Sequence, residues 1–278
     1  MAITSAAVLA GSGVPDDAFL AFVLARDGEA DLDRHSLARR DELFARLARE
    51  PVHSRLRVDR ATYLRNLARA RPEAGLDAAM LWLLATAKAN QAERFGVGLA
   101  ELYGRIGAHT DPLRLHVHLQ ETYHTRILAD VVGIFGLPVH ARAPRLVARA
   151  LIKLLVAAPD DSLLPVVGFG EMVGCTMFRA LRERGGELFA AEPAVAARIR
   201  LLYDDILTDE IFHVRMIDAR LGPTGRALMR AFYRLGGARL AGQMPEVVRL
   251  FGRAEIRRRF RAPFRLDEMV AEVATGTR

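Results

Sequence analysis

Cysteine is nearly missing: Cys175 is the sole one in 278 residues. That excludes a disulfide framework and any all-cysteine zinc or iron site. No glycine-rich nucleotide loop is present either. The apolar opening stretch, Met1 to Ala10, has no Lys or Arg ahead of it, so a secretory signal is not expected. No run approaches the ~18 apolar residues of a membrane span. The simplest expectation is a soluble, cytoplasmic protein without a membrane span.

What is abundant is Ala, Leu and Arg, with long stretches free of proline, which points to a nearly all-helical chain. Hydrophobic residues make up 51% and charged residues 26%, a mixture that argues against disorder. The length allows a large core, as one domain or one with an appendage. The formal charge of +7 is clustered. One group runs from Arg55 through Arg57, Arg60, Arg65 and Arg69 to Arg71. Another runs from Arg253 through Arg257, Arg258, Arg259 and Arg261 to Arg265. Such clusters could hold nucleic acid, an acidic carrier protein or a membrane surface. Solvated helix faces are the blander account, and the weightier one. Too few aromatics interleave them for base stacking.

Residues 1–75 read as two or three short helices, with breaks near Gly11–Pro15 and Pro51. A long helical pattern follows from Ala74 to Ile106 and stops at Gly107. Thr110 or Asp111 can cap the next helix, with Pro112 in its first turn. That helix runs to Phe135. Next comes an apolar segment with Arg and Lys, Pro144 to Ala158. A third helix spans Leu163 to Arg184 and ends at Gly185-Gly186. A fourth starts after Pro193 and reaches Leu221. The rest, 224–278, reads as one or two further helices.

The most informative feature is a pattern that occurs twice. Glu-x-x-His appears as Glu121-Thr-Tyr-His124 and as Glu210-Ile-Phe-His213, and one helix before each stands a single glutamate, Glu93 and Glu171. Residues three apart share a helix face. The break near Gly107 lies roughly midway between Glu93 and Glu121, and the break at Gly185–Pro193 near the middle between Glu171 and Glu210. Folding each hairpin there brings the lone Glu level with its Glu-x-x-His. Glu101 is an alternative to Glu93 but sits closer to the turn, so Glu93 is preferred. Four carboxylates on otherwise apolar stripes would each cost several kcal/mol if unpaired, on the order of 3–5. Two divalent cations would cancel them. Mixed carboxylate and imidazole donors without thiolate suit Fe(II) or Mn(II) over copper or structural zinc.

The series Glu93, Glu121-x-x-His124, Glu171, Glu210-x-x-His213 resembles the ferritin-like di-iron carboxylate superfamily over about 74–222, slightly over half the chain. The resemblance implies an all-α fold with a four-helix bundle, a long crossover (136–162) between its second and third helices, and extra helices at both ends. The expected division is 1–73 as a helical extension packed on the bundle, 74–222 as the bundle, and 223–278 as a basic helical extension. Two irons, or iron with manganese at one position, would be held by Glu93, Glu121, His124, Glu171, Glu210 and His213, with Glu121 and Glu210 bridging. By the same resemblance Asp209, just before Glu210, would face and orient His124. The corresponding position before Glu121 is Gln120, a departure that leaves support of His213 open.

The implied activity is O2-dependent oxidation of a small organic substrate by a di-iron monooxygenase or oxidase: hydroxylation, N-oxygenation, desaturation or cleavage. Electrons would come from a separate reductase or ferredoxin, because the chain carries neither a nucleotide loop nor cysteines for a cluster. A homodimer is possible. Rival readings are ferritin- or rubrerythrin-like iron oxidation or peroxide removal, and a tRNA-modifying di-iron hydroxylase using the basic clusters.

Other residues invite weighing. Several monooxygenases of the superfamily have Thr one turn after the third-helix Glu, where this chain has Cys175, either core or pocket wall. His116 and His118 read as surface or supporting groups. Tyr203 reads as a buried core tyrosine before a radical or proton-relay one, and Tyr123 as packing. Gly168, Gly170 and Gly174 each cost ~1 kcal/mol in a helix, which suggests that they leave room beside the metals.

Overall fold

A computed structural model describes residues 35–106, 112–139 and 160–276, and among these there are ten helices and no strand. The fold is all-α. In chain order the helices are α1 (His35–Arg49), α2 (Arg60–Leu67), α3 (Ala78–Ile106), α4 (Pro112–Gly133), α5 (Asp160–Leu188), α6 (Pro193–Arg220), α7 (Pro223–Ala241), α8 (Pro245–Phe251), α9 (Arg253–Arg261) and α10 (Leu266–Gly276). The expected break near Gly11–Pro15, the caps Thr110 and Asp111 and the segment 144–158 lie outside the described residues.

Local chemistry sets several of these ends. Asp59 caps α2, accepting from the backbone N–H groups of Ala61 at 3.0 Å and Thr62 at 3.3 Å. Pro193, Pro223 and Pro245 each stand in the first turn of their helix, where a missing N–H costs nothing. Gly252, between α8 and α9, has φ +79°. The region after Gly222 therefore forms four helices, not the one or two expected. Gly252 takes a left-handed turn that other residues resist, and Pro263 lies in the link before α10.

The four long helices form a closed circuit of neighbours: α3 packs on α4 and α5, and α6 packs on α5 and α4. Within each hairpin the register is antiparallel. Asn90 donates to the Thr125 carbonyl while Glu93 meets His124, so numbers rise on α3 as they fall on α4. Between α5 and α6, Arg182 pairs with Asp204 and Glu171 with His213 in the same opposed sense. α7 covers α5, α8 covers α3, α10 covers α6, and α2 lies on α3.

The core beside this circuit is anchored by Trp82, fully buried, whose indole N–H donates to the Leu181 carbonyl at 2.8 Å. Phe135, Phe189 and Tyr203 pack around its ring. The close passage of Trp82 explains one departure from expectation. α5 does not stop at Gly185-Gly186 but runs through to Leu188. A Cβ at Gly185 would stand 2.7 Å from the indole and 3.0 Å from Ile199. Gly185 is a contact glycine inside a helix, and its cost in helix propensity (~1 kcal/mol) is offset by that packing.

α5 also departs from the expectation of no span-like run. Leu163–Leu188 is long and apolar enough to cross a membrane by length and composition alone, with mean hydropathy 1.2. In this fold the same helix is covered by α3, α6 and α7. Its burial is partial, since Val166 and Val167 stand exposed near its start.

Among the polar contacts that tie the C-terminal helices to the rest, one is an ion pair with a fully buried carboxylate. Glu246 on α8, with no exposed surface, pairs with Lys88 on α3, whose ammonium also donates to the Arg69 carbonyl at 2.9 Å. Removing one partner of a buried pair strands the other charge. Lys88→Met is expected to cost about 3–5 kcal/mol of unfolding free energy, and Lys88→Met with Glu246→Leu to recover most of it. Urea unfolding of the two variants measures both values. A small loss in the single variant would show the pair to be energetically idle.

Candidate metal centre

Each functional side chain is delivered by the middle of a long helix. Glu93 comes from α3, Glu121 and His124 from α4, Glu171 from α5, and Glu210 and His213 from α6. All six converge. Glu93, Glu121, His124 and Glu210 bring one ligand atom each to within 4.8 Å of one another, and so do Glu121, Glu171, Glu210 and His213. The two groups share Glu121 and Glu210. This buried Glu/His group could hold a metal ion.

The imidazoles show which atoms point inward. His124 Nδ1 lies 3.3 Å from Glu93 Oε2, 3.5 Å from Glu210 Oε1 and 3.7 Å from Glu121 Oε2. His213 Nδ1 lies 3.1 Å from Glu171 Oε2 and 3.3 Å from Glu121 Oε1. Both Nε2 atoms face outward. His124 Nε2 sits 3.0 Å from Asp209 Oδ2, and His213 Nε2 sits 3.0 Å from Gln120 Oε1. The ring centroids are 5.9 Å apart. With its Nε2–H committed to an acceptor, a neutral imidazole aims a lone pair at the carboxylates. Lone pairs facing carboxylate oxygens at these distances repel unless a cation or a second ring proton stands between them. The donor set therefore fits a cation-binding centre.

Charge crowding also displaces the ordinary ionisation ranges. Burial, then the neighbouring Glu93 charge, pushes Glu121 well up. Burial, then Glu171, Glu93 and Glu121, does the same to Glu210. Burial opposes charge on His124, yet the Glu121 charge and the Asp209 hydrogen bond outweigh it and raise His124 well above the usual imidazole range. Burial likewise works to raise Glu93, but hydrogen bonds with His124 and Glu121 and the imidazole charges hold it below the carboxylate range. Protons thus do part of a cation's work in the metal-free protein.

The sequence reading placed Asp209 beside His124, and the distance is 3.0 Å. It left His213 without an assured partner. Gln120 fills that place, and its own Nε2 donates to Asp209 Oδ1 at 3.0 Å. Of the three glycines expected to leave room at the centre, only Gly174 does so. A Cβ there would come within 2.5 Å of Glu210 Oε2. Gly168 instead admits Met229 and Ile217, and nothing lies within 4 Å of a Cβ at Gly170. Those two serve helix packing or solvent, not the centre.

Cys175 is fully buried, and its thiol is pushed up by burial and then by the Glu210 and Glu171 charges. Tyr203 is a core residue whose hydroxyl pairs with Thr86 at 2.8 Å, and Tyr123 stacks on Phe44. The side chains of Glu101, His116 and His118 lie outside the described residues. A cleft of about 280 Å³ opens beside α5, α6 and α7, walled by apolar and aromatic side chains such as Met172, Val214, Met229, Tyr233 and Phe264 and by the charged Asp218, Arg230 and Arg234. Met172 and Val214 directly follow Glu171 and His213 in the chain. Sequence patterning did not reveal this cleft, because α7 and the Pro263–Leu266 link enter it only through tertiary packing.

Many of the clustered arginines are engaged within the chain. Arg55 pairs with Glu192, Arg65 and Arg69 with Glu73, Arg258 and Arg259 with Glu255, and Arg265 with Glu268.

No family model, curated protein or solved structure matches the chain.

Two outcomes follow from this geometry. Gly174→Ala forces the Glu210 carboxylate aside, and divalent-metal affinity is expected to fall by at least about 10-fold, the lower end for a change one step removed from a ligand. Calorimetric titration with Mn(II) reads the change, and an unaltered affinity would contradict the crowding. The second outcome concerns pH. Glu121, Glu210 and His124 bind protons more tightly folded than unfolded, so their contribution is full below their unfolded values and fades as pH rises through the folded ones. Glu93, shifted the other way, offsets part of this. Chelator-treated protein is expected to melt at lower temperature at about pH 9 than at about pH 6, and added Mn(II) to stabilise it more at the higher pH. The opposite trend would refute the charge crowding.

Proposed function

We propose that the chain is a ferritin-like non-haem di-iron enzyme that uses O2 to oxidise a small organic substrate. The observation that carries this reading is the pair of ligand groups overlapping at Glu121 and Glu210. Two adjacent cations joined by shared carboxylates fit that pattern, one near His124 with Glu93 and one near His213 with Glu171. Iron at both positions, or manganese at one, suits this donor set. Such a metal pair, when bound, supplies the electrons that reduce O2.

The chain's own residues would do the rest. Glu121 and Glu210, the members common to both ligand groups, would hold the two cations together, with Glu93 and His124 on one side and Glu171 and His213 on the other. Gly174 leaves the space that the Glu210 carboxylate occupies. Asp209 holds His124 from behind and keeps its ring orientation fixed. The cleft beside Met172 and Val214 supports a small substrate with both an apolar and a charged or polar part, because Met172, Val214, Met229 and Phe264 line it together with Asp218, Arg230 and Arg234, and Met172 and Val214 adjoin ligand residues in sequence. A reductase or ferredoxin would deliver electrons, since the chain offers neither nucleotide loop nor cysteine cluster of its own.

Iron storage or peroxide removal is the rival within the same architecture. The test is iron content and O2 uptake of the purified protein. About two irons per chain, with O2 consumed on supply of reductant, supports the enzyme. A large cage loading many irons supports storage. Glu121→Ala is expected to weaken metal binding by more than about 100-fold, beyond what loss of a supporting partner causes. Unchanged metal content in that variant would overturn the proposal.

A further inference from the structure

We propose that one carboxylate, Asp209, sets the tautomer of both ligand imidazoles, acting on His124 directly and on His213 through the side-chain amide of Gln120. The inference rests on the metal-binding reading above and adds to it a positioning role for Gln120 and a second one for Asp209.

The chain of hydrogen bonds has only one consistent direction. An ionised carboxylate offers acceptors alone. His124 Nε2, 3.0 Å from Asp209 Oδ2, therefore carries hydrogen. The Gln120 group 3.0 Å from Asp209 Oδ1 must be its NH2, which donates. That choice turns Gln120 Oε1 to His213, where it faces Nε2 at 3.0 Å. An amide oxygen only accepts, so His213 Nε2 carries hydrogen as well. Both Nδ1 lone pairs are thereby committed to the centre, where the four carboxylates lie. Asp209, Gln120, His124 and His213 are all buried, so water does not compete freely for these bonds. While Asp209 is charged, the Gln120 amide cannot flip without setting its oxygen against a carboxylate oxygen.

The consequence reaches a histidine that Asp209 does not touch. In Asp209→Asn, the new side chain keeps its oxygen on His124 Nε2 and presents an NH2 to Gln120. Gln120 must then turn its own oxygen toward that NH2 and its NH2 toward His213. His213 Nε2 becomes the acceptor, its hydrogen moves to Nδ1, and the lone pair aimed at the metal is lost. Gln120→Leu, in contrast, removes the acceptor of His213 Nε2 and one donor to Asp209 Oδ1, and leaves the Asp209–His124 bond in place.

Zn(II), which is diamagnetic, is the probe. Calorimetric titration gives stoichiometry and affinity, and long-range 1H–15N spectra of the loaded protein give the tautomers. Wild type is expected to take up two Zn(II), with both ligand histidines protonated at Nε2. Asp209→Asn is expected to weaken both positions by about 10–100-fold, the His124 position because a neutral amide oxygen replaces the carboxylate and the His213 position because its tautomer reverses. Gln120→Leu is expected to weaken only the His213 position. If Asp209→Asn weakens one position and leaves the other at wild-type affinity, metal binding stands and the dual role of Asp209 is wrong. A loaded wild-type His213 protonated at Nδ1 overturns the inference equally. Should Asp209→Asn fail to fold by circular dichroism, the wild-type spectrum and Gln120→Leu decide the question. Wild-type protein that takes up no Zn(II), Mn(II) or Fe(II) overturns the metal reading itself, and the inference with it.

Discussion

Four carboxylates and two imidazoles share one small, largely buried volume between α3, α4, α5 and α6, and the rest of the molecule has to accommodate that crowding. A folded domain is stable by only about 5–15 kcal/mol. An uncompensated buried charge costs on the order of 3–5 kcal/mol, so four of them would consume most or all of that margin. Positive charge must enter. The crowding favours protons, since burial and neighbouring carboxylates raise Glu121 and Glu210, and the Glu121 charge with the Asp209 hydrogen bond raises His124 against burial. A divalent cation supplies the positive charge more completely and uses the Nδ1 lone pairs that protons would consume. Metal and proton are therefore competitors for the same cavity.

The scaffold is arranged around that competition. Antiparallel register within each hairpin brings ligands 31 and 42 positions apart in the sequence to one level. Gly174 keeps the space that Glu210 occupies, while Gly185 lets the opposite end of α5 close on Trp82. Outside the circuit, the Lys88–Glu246 pair fastens α8 to α3 and so couples the C-terminal helices to a ligand-bearing element. Asp209 and Gln120 stand behind the rings, 3.0 Å from His124 Nε2 and His213 Nε2 and 3.0 Å from each other.

Much of the centre was legible in the sequence because its information is local. Two histidines three positions from two glutamates share a helix face by periodicity, and the breaks near Gly107 and Pro193 place Glu93 and Glu171 level with them. Asp209 was legible by resemblance. What was not legible depends on tertiary approach. Gly185 looked like a helix stop, yet its glycine answers to Trp82 from another helix. Gly168 and Gly174 look alike in sequence, and only packing shows that one faces Met229 and the other Glu210. Gln120 looked like a missing carboxylate. Its amide matters because it can donate to Asp209 and accept from His213 at once, which no single-residue pattern announces. The four C-terminal helices depend on turns at Gly252 and Pro263 that periodicity alone did not resolve.

The most direct measurement is anomalous diffraction from crystals of the protein grown or soaked with Mn(II). The account predicts two peaks between α4 and α6, about 3.5–4 Å apart, each within bonding distance of Glu121 and Glu210. An absence of peaks there at saturating Mn(II), or ions found only on the surface, would contradict it.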